Sequence, residues 1–263
     1  MIFTDDLDRK IKLNTKIQRI ISLVPSITEL LFDLELSSEI IACTNYCIHP
    51  KDKVKSLLKI GGTKDFDLDK IRQQKPDLII AVKEENNKDL VLQIAKEFPT
   101  VVFDIVDLNS ALNTIKKIGR IVDRQNQANN LLSNINTEII NLKASILDNN
   151  KTSAYLIWNN PMMGVGVQTY ISDMMRLSGF INVFDEQKEA YFELSKLELE
   201  QTKPHYIFLS SEPFKFTDKH RIKYQKQYPK SKVVLVDGEM FSWYGSRILK
   251  AISYFSSLQK MNK

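Results

Sequence analysis

Apolar positions along this chain fall into short runs rich in β-branched residues, separated by stretches with helical spacing. Residues 19–23, 40–43, 78–81 and 101–103 are compact and dominated by Ile, Val and Leu, as strands buried on both faces are. Pro25-Ser26 ahead of Thr28-Glu29-Leu30-Leu31-Phe32 reads as a helix start, and residues 69–72 and 89–95 repeat their apolar positions at helical intervals. Strand–helix alternation of this kind predicts an α/β lobe around a parallel sheet.

The pattern changes at residue 107. Leu108, Leu112, Ile115, Ile118 and Val122 recur at helical spacing, and a second run from about residue 125 to Leu147 carries Leu131, Leu132, Ile135, Ile139, Leu142 and Ile146. Residues 100–160 hold no proline and one glycine, Gly119. The spacing predicts a long helix in the middle of the chain, stopping at the polar Asp148-Asn149-Asn150-Lys151, before alternation resumes at residues 153–158. The expected organisation is an N-terminal α/β lobe over 1–122, a long inter-lobe helix over 123–150 and a C-terminal α/β lobe over 151–263.

The two flanks echo each other. Lys75-Pro76-Asp77-Leu78-Ile79-Ile80 reappears as Lys203-Pro204-His205-Tyr206-Ile207-Phe208, an offset of 203 − 75 = 128 residues. A helical segment precedes each Lys-Pro, and an acidic loop follows each strand: Lys83-Glu84-Glu85-Asn86 in one half, Ser210-Ser211-Glu212-Pro213 in the other. The shared order predicts two related Rossmann-like α/β lobes joined by one long rigid helix. Ligands of such folds bind at loops on the carboxyl ends of strands or at domain interfaces, so a ligand cleft between the lobes is expected.

Composition narrows the function classes. Of 263 residues, 37 are Lys or Arg and 32 Asp or Glu, a mild +5 with no basic stripe, so no nucleic-acid partner is expected. Eight glycines form no dinucleotide or P-loop pattern, which argues against nucleotide chemistry. Cys43 and Cys47 have neither zinc-knuckle nor CxxC spacing and read as two reduced thiols near a strand end. The chain shows no Ser-His-Asp, Cys-His, HExxH or GxSxG arrangement, so it reads as a non-enzyme with no resident cofactor and no side-chain metal site. Its first residues lack a secretory leader, which would place it in the cytoplasm if the chain is full length.

The run from Arg19 through Ser22-Leu23-Val24-Pro25-Ser26-Ile27-Thr28-Glu29 to Leu31 resembles the opening strand and helix of the type III periplasmic binding proteins, the substrate-binding proteins of ABC importers for vitamin B12, siderophores and haem. Phe3-Thr4-Asp5-Asp6-Leu7-Asp8-Arg9 resembles the family's usual start, with Asp8 where glycine is typical. Gly61-Gly62-Thr63, Asp67-Leu68-Asp69-Lys70-Ile71 and Lys75-Pro76-Asp77-Leu78-Ile79 continue the pattern in order, so the resemblance covers nearly the whole chain and is closest to the vitamin B12-binding branch. It implies a periplasmic or cell-surface monomer that docks onto an ABC importer permease through one acid on each lobe. Asp69 and Glu198 are nearest those positions, with Glu200 as a neighbouring alternative and ordinary helix-surface acids as the plain reading.

A corrinoid or haem is a broad, flat ring system held largely by aromatic and apolar faces. The resemblance puts Tyr46, Trp158, Tyr191 and Phe192 near the cleft, and Phe241, Trp243 and Tyr244, beside Arg247, extend that wall; core packing is the competing fate of each aromatic. Glu84, Glu85 and Glu212 are candidates for hydrogen bonds to corrinoid amides or for a cation, against a plain solvated-loop role. Tyr46 and His49 are candidate axial ligands for iron or cobalt. The expected function is a solute-binding protein for a metal-chelate ligand, cobalamin or another corrinoid first. Haem or a ferric siderophore is the alternative within that class, and a cytosolic corrinoid- or metal-handling protein outside it.

Overall fold

A computed structural model describes residues 1–146 and 150–260. The chain forms two compact units: residues 1–105, 109–134 and 244–247 make the first, and residues 106–108, 135–243 and 248–263 the second. The chain returns to the first unit at Tyr244–Arg247, so the C-terminal half donates a four-residue segment to the N-terminal one.

In the first unit, strands β3 (Ile20–Ser22), β4 (Ile40–Cys43), β5 (Leu58–Lys59), β6 (Leu78–Val82) and β7 (Thr100–Phe103) form one sheet in the order β5-β4-β3-β6-β7. Every pairing is parallel. Helices α1 (Pro25–Asp33), α2 (Lys51–Val54), α3 (Leu68–Gln74) and α4 (Lys88–Ile94) connect them. All five residues of β6 are buried, which is why its sequence runs apolar without alternation. A hairpin of β1 (Ile2–Thr4) and β2 (Lys10–Lys12) precedes the sheet. The turn beside it covers the open edge of β7. The Val102 amide donates to Asp5 Oδ2 at 3.1 Å, the Asp104 amide to Asp6 Oδ2 at 3.1 Å, and the Asp6 amide to the Val102 carbonyl at 3.1 Å, leaving no free row of edge groups there to recruit another strand. Asp8 sits in that turn at φ 60°, a left-handed conformation that glycine adopts freely and Asp tolerates better than most residues. That accounts for its standing where glycine is usual.

The central helical region is two helices. α5 (Leu108–Ile121) ends where Asp123 takes φ 55° and the Arg124 amide reaches back to the Gly119 carbonyl at 2.7 Å, a left-handed C-terminal cap. A Cβ on Gly119 would lie 2.4 Å from Ala128 Cβ, so only glycine lets the next helix start this close. That next helix, α6 (Gln125–Ser145), has 21 residues, about 31 Å at 1.5 Å per residue. Its residues up to 134 belong to the first unit and those from 135 to the second, as the expected connecting helix requires. Ala128, Ile135, Ile139 and Leu142 are its buried stripe. Leu147, at the end of the expected apolar run, and Asp148 and Asn149 of the expected polar stop lie outside the described residues, and Lys151 already opens the next strand.

The second unit has a six-stranded sheet: β8 (Lys151–Asn159), β9 (Met162–Val165), β10 (Phe180–Asn182), β11 (Tyr191–Glu193), β12 (Tyr206–Ser210) and β13 (Lys232–Val236), in the order β11-β9-β8-β12-β13 with β10 paired to β8. The first half of β8 runs parallel to β10 and its second half antiparallel to β9, so one long strand serves two partners on the same edge. Helices α7 (Tyr170–Leu177), α8 (Lys196–Thr202), α9 (Asp218–Gln227), α10 (Gly238–Ser242) and α11 (Arg247–Lys260) complete it. Tyr155, Phe208, Phe241 and Phe255 fill its interior without exposure.

The internal echo is exact at the level of elements. α3 and α8 each have seven residues, each ends in a left-handed lysine (Lys75, φ 45°; Lys203, φ 47°) ahead of proline, and each leads into a five-residue buried strand. Every boundary of helix and strand is displaced by 196 − 68 = 206 − 78 = 128 residues.

Candidate functional site

In the first unit one side chain, Asn86, ties together the carboxyl-end loops of β3, β5 and β6. Its Oδ1 accepts the Val82 amide at 2.9 Å, and its Nδ2 donates to the carbonyls of Leu23 and Thr63, each at 3.0 Å. The Asn45 amide donates to the Gly61 carbonyl at 2.8 Å, which fastens the β4 loop to the β5 loop. Tyr46 stands on this frame with 61% of its surface exposed. Its ring lies against Gly62, where an added Cβ would be 3.3 Å from Tyr46 Cε2. Glu84 is exposed, Glu85 half-buried, and the Lys64 ammonium donates to the Glu84 carbonyl. Asn86 was missed in the sequence because a buried Asn inside Glu84-Glu85-Asn86-Asn87 looks like solvated loop.

The two thiols are buried and share a side-chain hydrogen bond, which holds Cys43 above and Cys47 below the ordinary thiol range. The Thr28 and Thr44 hydroxyls lie 3.1 and 3.3 Å from Cys47 Sγ, and Lys59 Nζ donates to Cys43 Sγ at 3.2 Å. Among the described residues no group of three or more His, Cys, Asp or Glu side chains converges as a metal site.

In the second unit the corresponding loops follow β8, β12 and β13. Trp158, at the end of β8, is 38% exposed; its indole N–H donates to the Asn160 carbonyl at 3.1 Å and its ring meets Phe214 edge-on at 5.6 Å. Phe214 in turn packs on Phe216 at 4.9 Å, so the indole rests on a fixed aromatic stack. Glu212 accepts the Ser242 hydroxyl at 2.6 Å and a hydrogen bond from the Trp243 side chain. Burial raises its carboxyl above the ordinary range, with nearby Glu239 and Asp237 acting in the same direction. The β12 and β13 loops interlock at Gly238, where a Cβ would come within 2.6 Å of Glu212 Cγ and 2.5 Å of Ser210 Oγ.

Several of the residues expected to line a cleft are packed inside their own units. Phe241 is a core residue: the short helix α10 turns it inward against Tyr155 at 5.1 Å and Phe255 at 4.9 Å. Phe192 is buried against Phe184 at 5.1 Å, while its neighbour Tyr191 is half-buried. Trp243 and Tyr244 are both buried, the first in the second unit and the second in the first. Arg247, 4% exposed, is held by Glu29 through Nε at 2.7 Å and Nη2 at 2.9 Å and belongs to the first unit.

The two candidate docking acids are exposed but not equivalent. Asp69, in the first turn of α3, accepts from Arg72 Nη1 at 2.7 Å, and Arg72 also holds Glu97 at 2.7 Å. Glu198 closes a capping box with Ser195, accepting its amide at 2.7 Å, and that hydroxyl and amide hold its carboxyl below the usual range. Under the 128-residue offset Asp69 corresponds to Leu197, and Glu198 to Lys70. A cavity of about 320 Å³ bounded by Lys143, Arg176, Phe180 and Ile181 opens at the amino end of β10, away from these loops.

Two α/β units that share one long helix, with fixed loops at the carboxyl ends of their parallel strands, define a solute-binding protein of the type III architecture. The chain belongs to the periplasmic binding protein family, whose model matches residues 20–232. The vitamin B12-binding protein of Pectobacterium carotovorum subsp. carotovorum (strain PC1) is 24% identical over 244 residues, 91% of this chain and 87% of its own length. The periplasmic vitamin B12 binding protein BtuF of Vibrio cholerae superimposes with a TM-score of 0.80 at 19% identity, over 93% of this chain and 97% of that one. The periplasmic heme-binding protein RhuT from Roseiflexus sp. RS-1, in apo form, does so with a TM-score of 0.80 at 18% identity, over 92% and 97%.

Proposed function

We propose that this protein binds a corrinoid, cobalamin first, and delivers it to an ABC importer permease. The observation that carries the ligand class is the pair of exposed aromatic rings on rigid carboxyl-end loops, Tyr46 backed by Gly62 and Trp158 backed by Phe214. A flat macrocycle is bound best by preset apolar faces with a few polar groups at their margins. Glu84 and Glu85 supply those margins in the first unit; Glu212 and half-buried Tyr191 supply them in the second. The likeness to vitamin B12-binding proteins supports the corrinoid. Haem is the second reading, supported by the equal TM-score of a heme-binding protein, with the Tyr46 phenol as its candidate axial ligand. Coupling to a permease rests on family membership, with Asp69 and Glu198 as the exposed acids offered.

Thermal unfolding with cobalamin, haemin or a ferric siderophore tests the reading. A ligand at about a hundred times its Kd stabilises by roughly 2.7 kcal/mol, which raises Tm by about 5–10 °C in a chain of this size. A rise with cobalamin alone supports the corrinoid; a rise with haemin alone moves the assignment to haem, and no rise with any of the three removes the metal-chelate class.

A further inference from the structure

We propose that Cys43 and Cys47 are a built-in oxidation site, at which a hydroperoxide closes a disulfide across the turn that carries Tyr46. Cys43 is the last residue of β4, and the Cys47 amide donates to the Thr44 carbonyl at 3.2 Å, so the chain doubles back and brings the two sulfurs into hydrogen-bonding contact. Their surroundings are polar in a specific way. Lys59 Nζ, 3.2 Å from Cys43 Sγ, also donates to the carbonyls of Cys47 at 3.0 Å and Thr44 at 3.4 Å, so the ammonium is fixed beside the sulfur pair by the turn itself. Thr28 and Thr44 approach Cys47 Sγ from two other sides. A structural thiol among apolar neighbours is inert; here an ammonium sits on one sulfur of the pair and two hydroxyls on the other, surroundings that favour a thiolate within the pair.

The chemistry balances in two steps. The Cys47 thiolate attacks the distal oxygen of a hydroperoxide, the O–O bond breaks, and Cys47 becomes a sulfenic acid as hydroxide or alkoxide leaves. Cys43 sulfur then attacks Cys47 sulfur; the S–S bond forms, the S–O bond breaks, and the Cys43 proton leaves with the hydroxide as water. Lys59 stabilises the Cys43 thiolate in this second step. Overall, two thiols lose two electrons and two protons, and the peroxide is reduced. Cys47 is 2% exposed, so a water-sized hydroperoxide suits the site and a bulky aromatic disulfide reagent does not. The product is a ring over residues 43–47 that contains Tyr46.

The test reads sulfur on the purified full chain and is independent of any ligand, so it can fail or hold apart from the corrinoid proposal. Hydrogen peroxide is added, and thiols are counted after denaturation, with the tryptic peptide spanning 20–51 weighed. The expected result is loss of both thiols, a peptide lighter by two hydrogens, and no chain-to-chain link. Cys43→Ser should stall at a Cys47 sulfenic acid captured by a cyclic dione. Lys59→Met should slow ring closure by on the order of tenfold, since each unit of thiol pKa changes the thiolate fraction about tenfold. Both thiols surviving a dose that oxidises glutathione would overturn the proposal, as would a disulfide between chains. The wild-type count needs no variant to fold. Cys47→Ser leaving the oxidation rate of Cys43 unchanged would overturn the assignment of Cys47 as the reacting sulfur.

Discussion

Arg247 closes on Glu29 through two contacts of 2.7 and 2.9 Å, although the residues are 218 positions apart and both are almost fully buried. The pair sits within the first unit and anchors the Tyr244–Arg247 segment on α1, where Gly245 (φ 82°) lies so close that a Cβ would be 3.3 Å from the Ser26 carbonyl oxygen. Removing one member of such a pair strands a buried charge. Arg247→Ala should therefore lose about 3–5 kcal/mol in urea unfolding. A loss below about 1 kcal/mol would contradict that role for the pair.

Phe241 and Trp158 separate stability from binding. Phe241→Ala removes a fully buried ring and should cost about 3–5 kcal/mol, with ligand affinity kept in whatever fraction stays folded. Trp158→Ala should do the reverse: unfolding changes by roughly 1 kcal/mol or less, while affinity for the corrinoid falls at least tenfold, about 1.4 kcal/mol. Calorimetry on both variants checks this, and equal affinity in Trp158→Ala would take that residue out of the site.

Glu212 predicts a pH dependence. Its folded carboxyl is raised by burial, so the native state holds the proton more tightly than the unfolded chain does. That contribution is fully present below the unfolded value of 4.5 and is lost as pH rises through the folded one. Glu212→Gln keeps an acceptor for Ser242 and cannot ionise. Its Tm relative to the wild type should climb between about pH 4 and pH 8. A constant difference across that range would show that Glu212 is effectively solvated.

Much of the architecture was written locally in the chain. The strands of the first sheet are continuous β-branched runs, and the Lys75-Pro76 and Lys203-Pro204 echo marks two copies of one helix–strand unit. The two-residue β5 and the three-residue β10 and β11 were not legible, because so short a run carries no period. The apolar runs already part between Val122 and residue 125, but the left-handed cap at Asp123 was hidden because Asp, unlike glycine, does not announce one.

Site residues were harder for a different reason. Aromatic type does not tell which face a short helix turns inward, so Phe241 and Trp158 look alike in sequence. Arg247 is consumed by Glu29, a partner that only the tertiary fold brings near. Glu198 is expected as a docking acid, while Ser195 three residues earlier carries the signature of the capping box the structure forms.

Direct titration of the wild-type protein, followed by tryptophan fluorescence, tests the ligand class. Trp158 is half-open on a carboxyl-end loop, and Trp243 contacts Glu212 in the same unit, so a bound corrinoid should quench the emission. Saturable quenching by cobalamin with a Kd well below about 100 μM, abolished or weakened at least tenfold in Trp158→Ala, is the predicted result. Absence of saturable quenching by cobalamin, haemin and a ferric siderophore up to about 100 μM would contradict it.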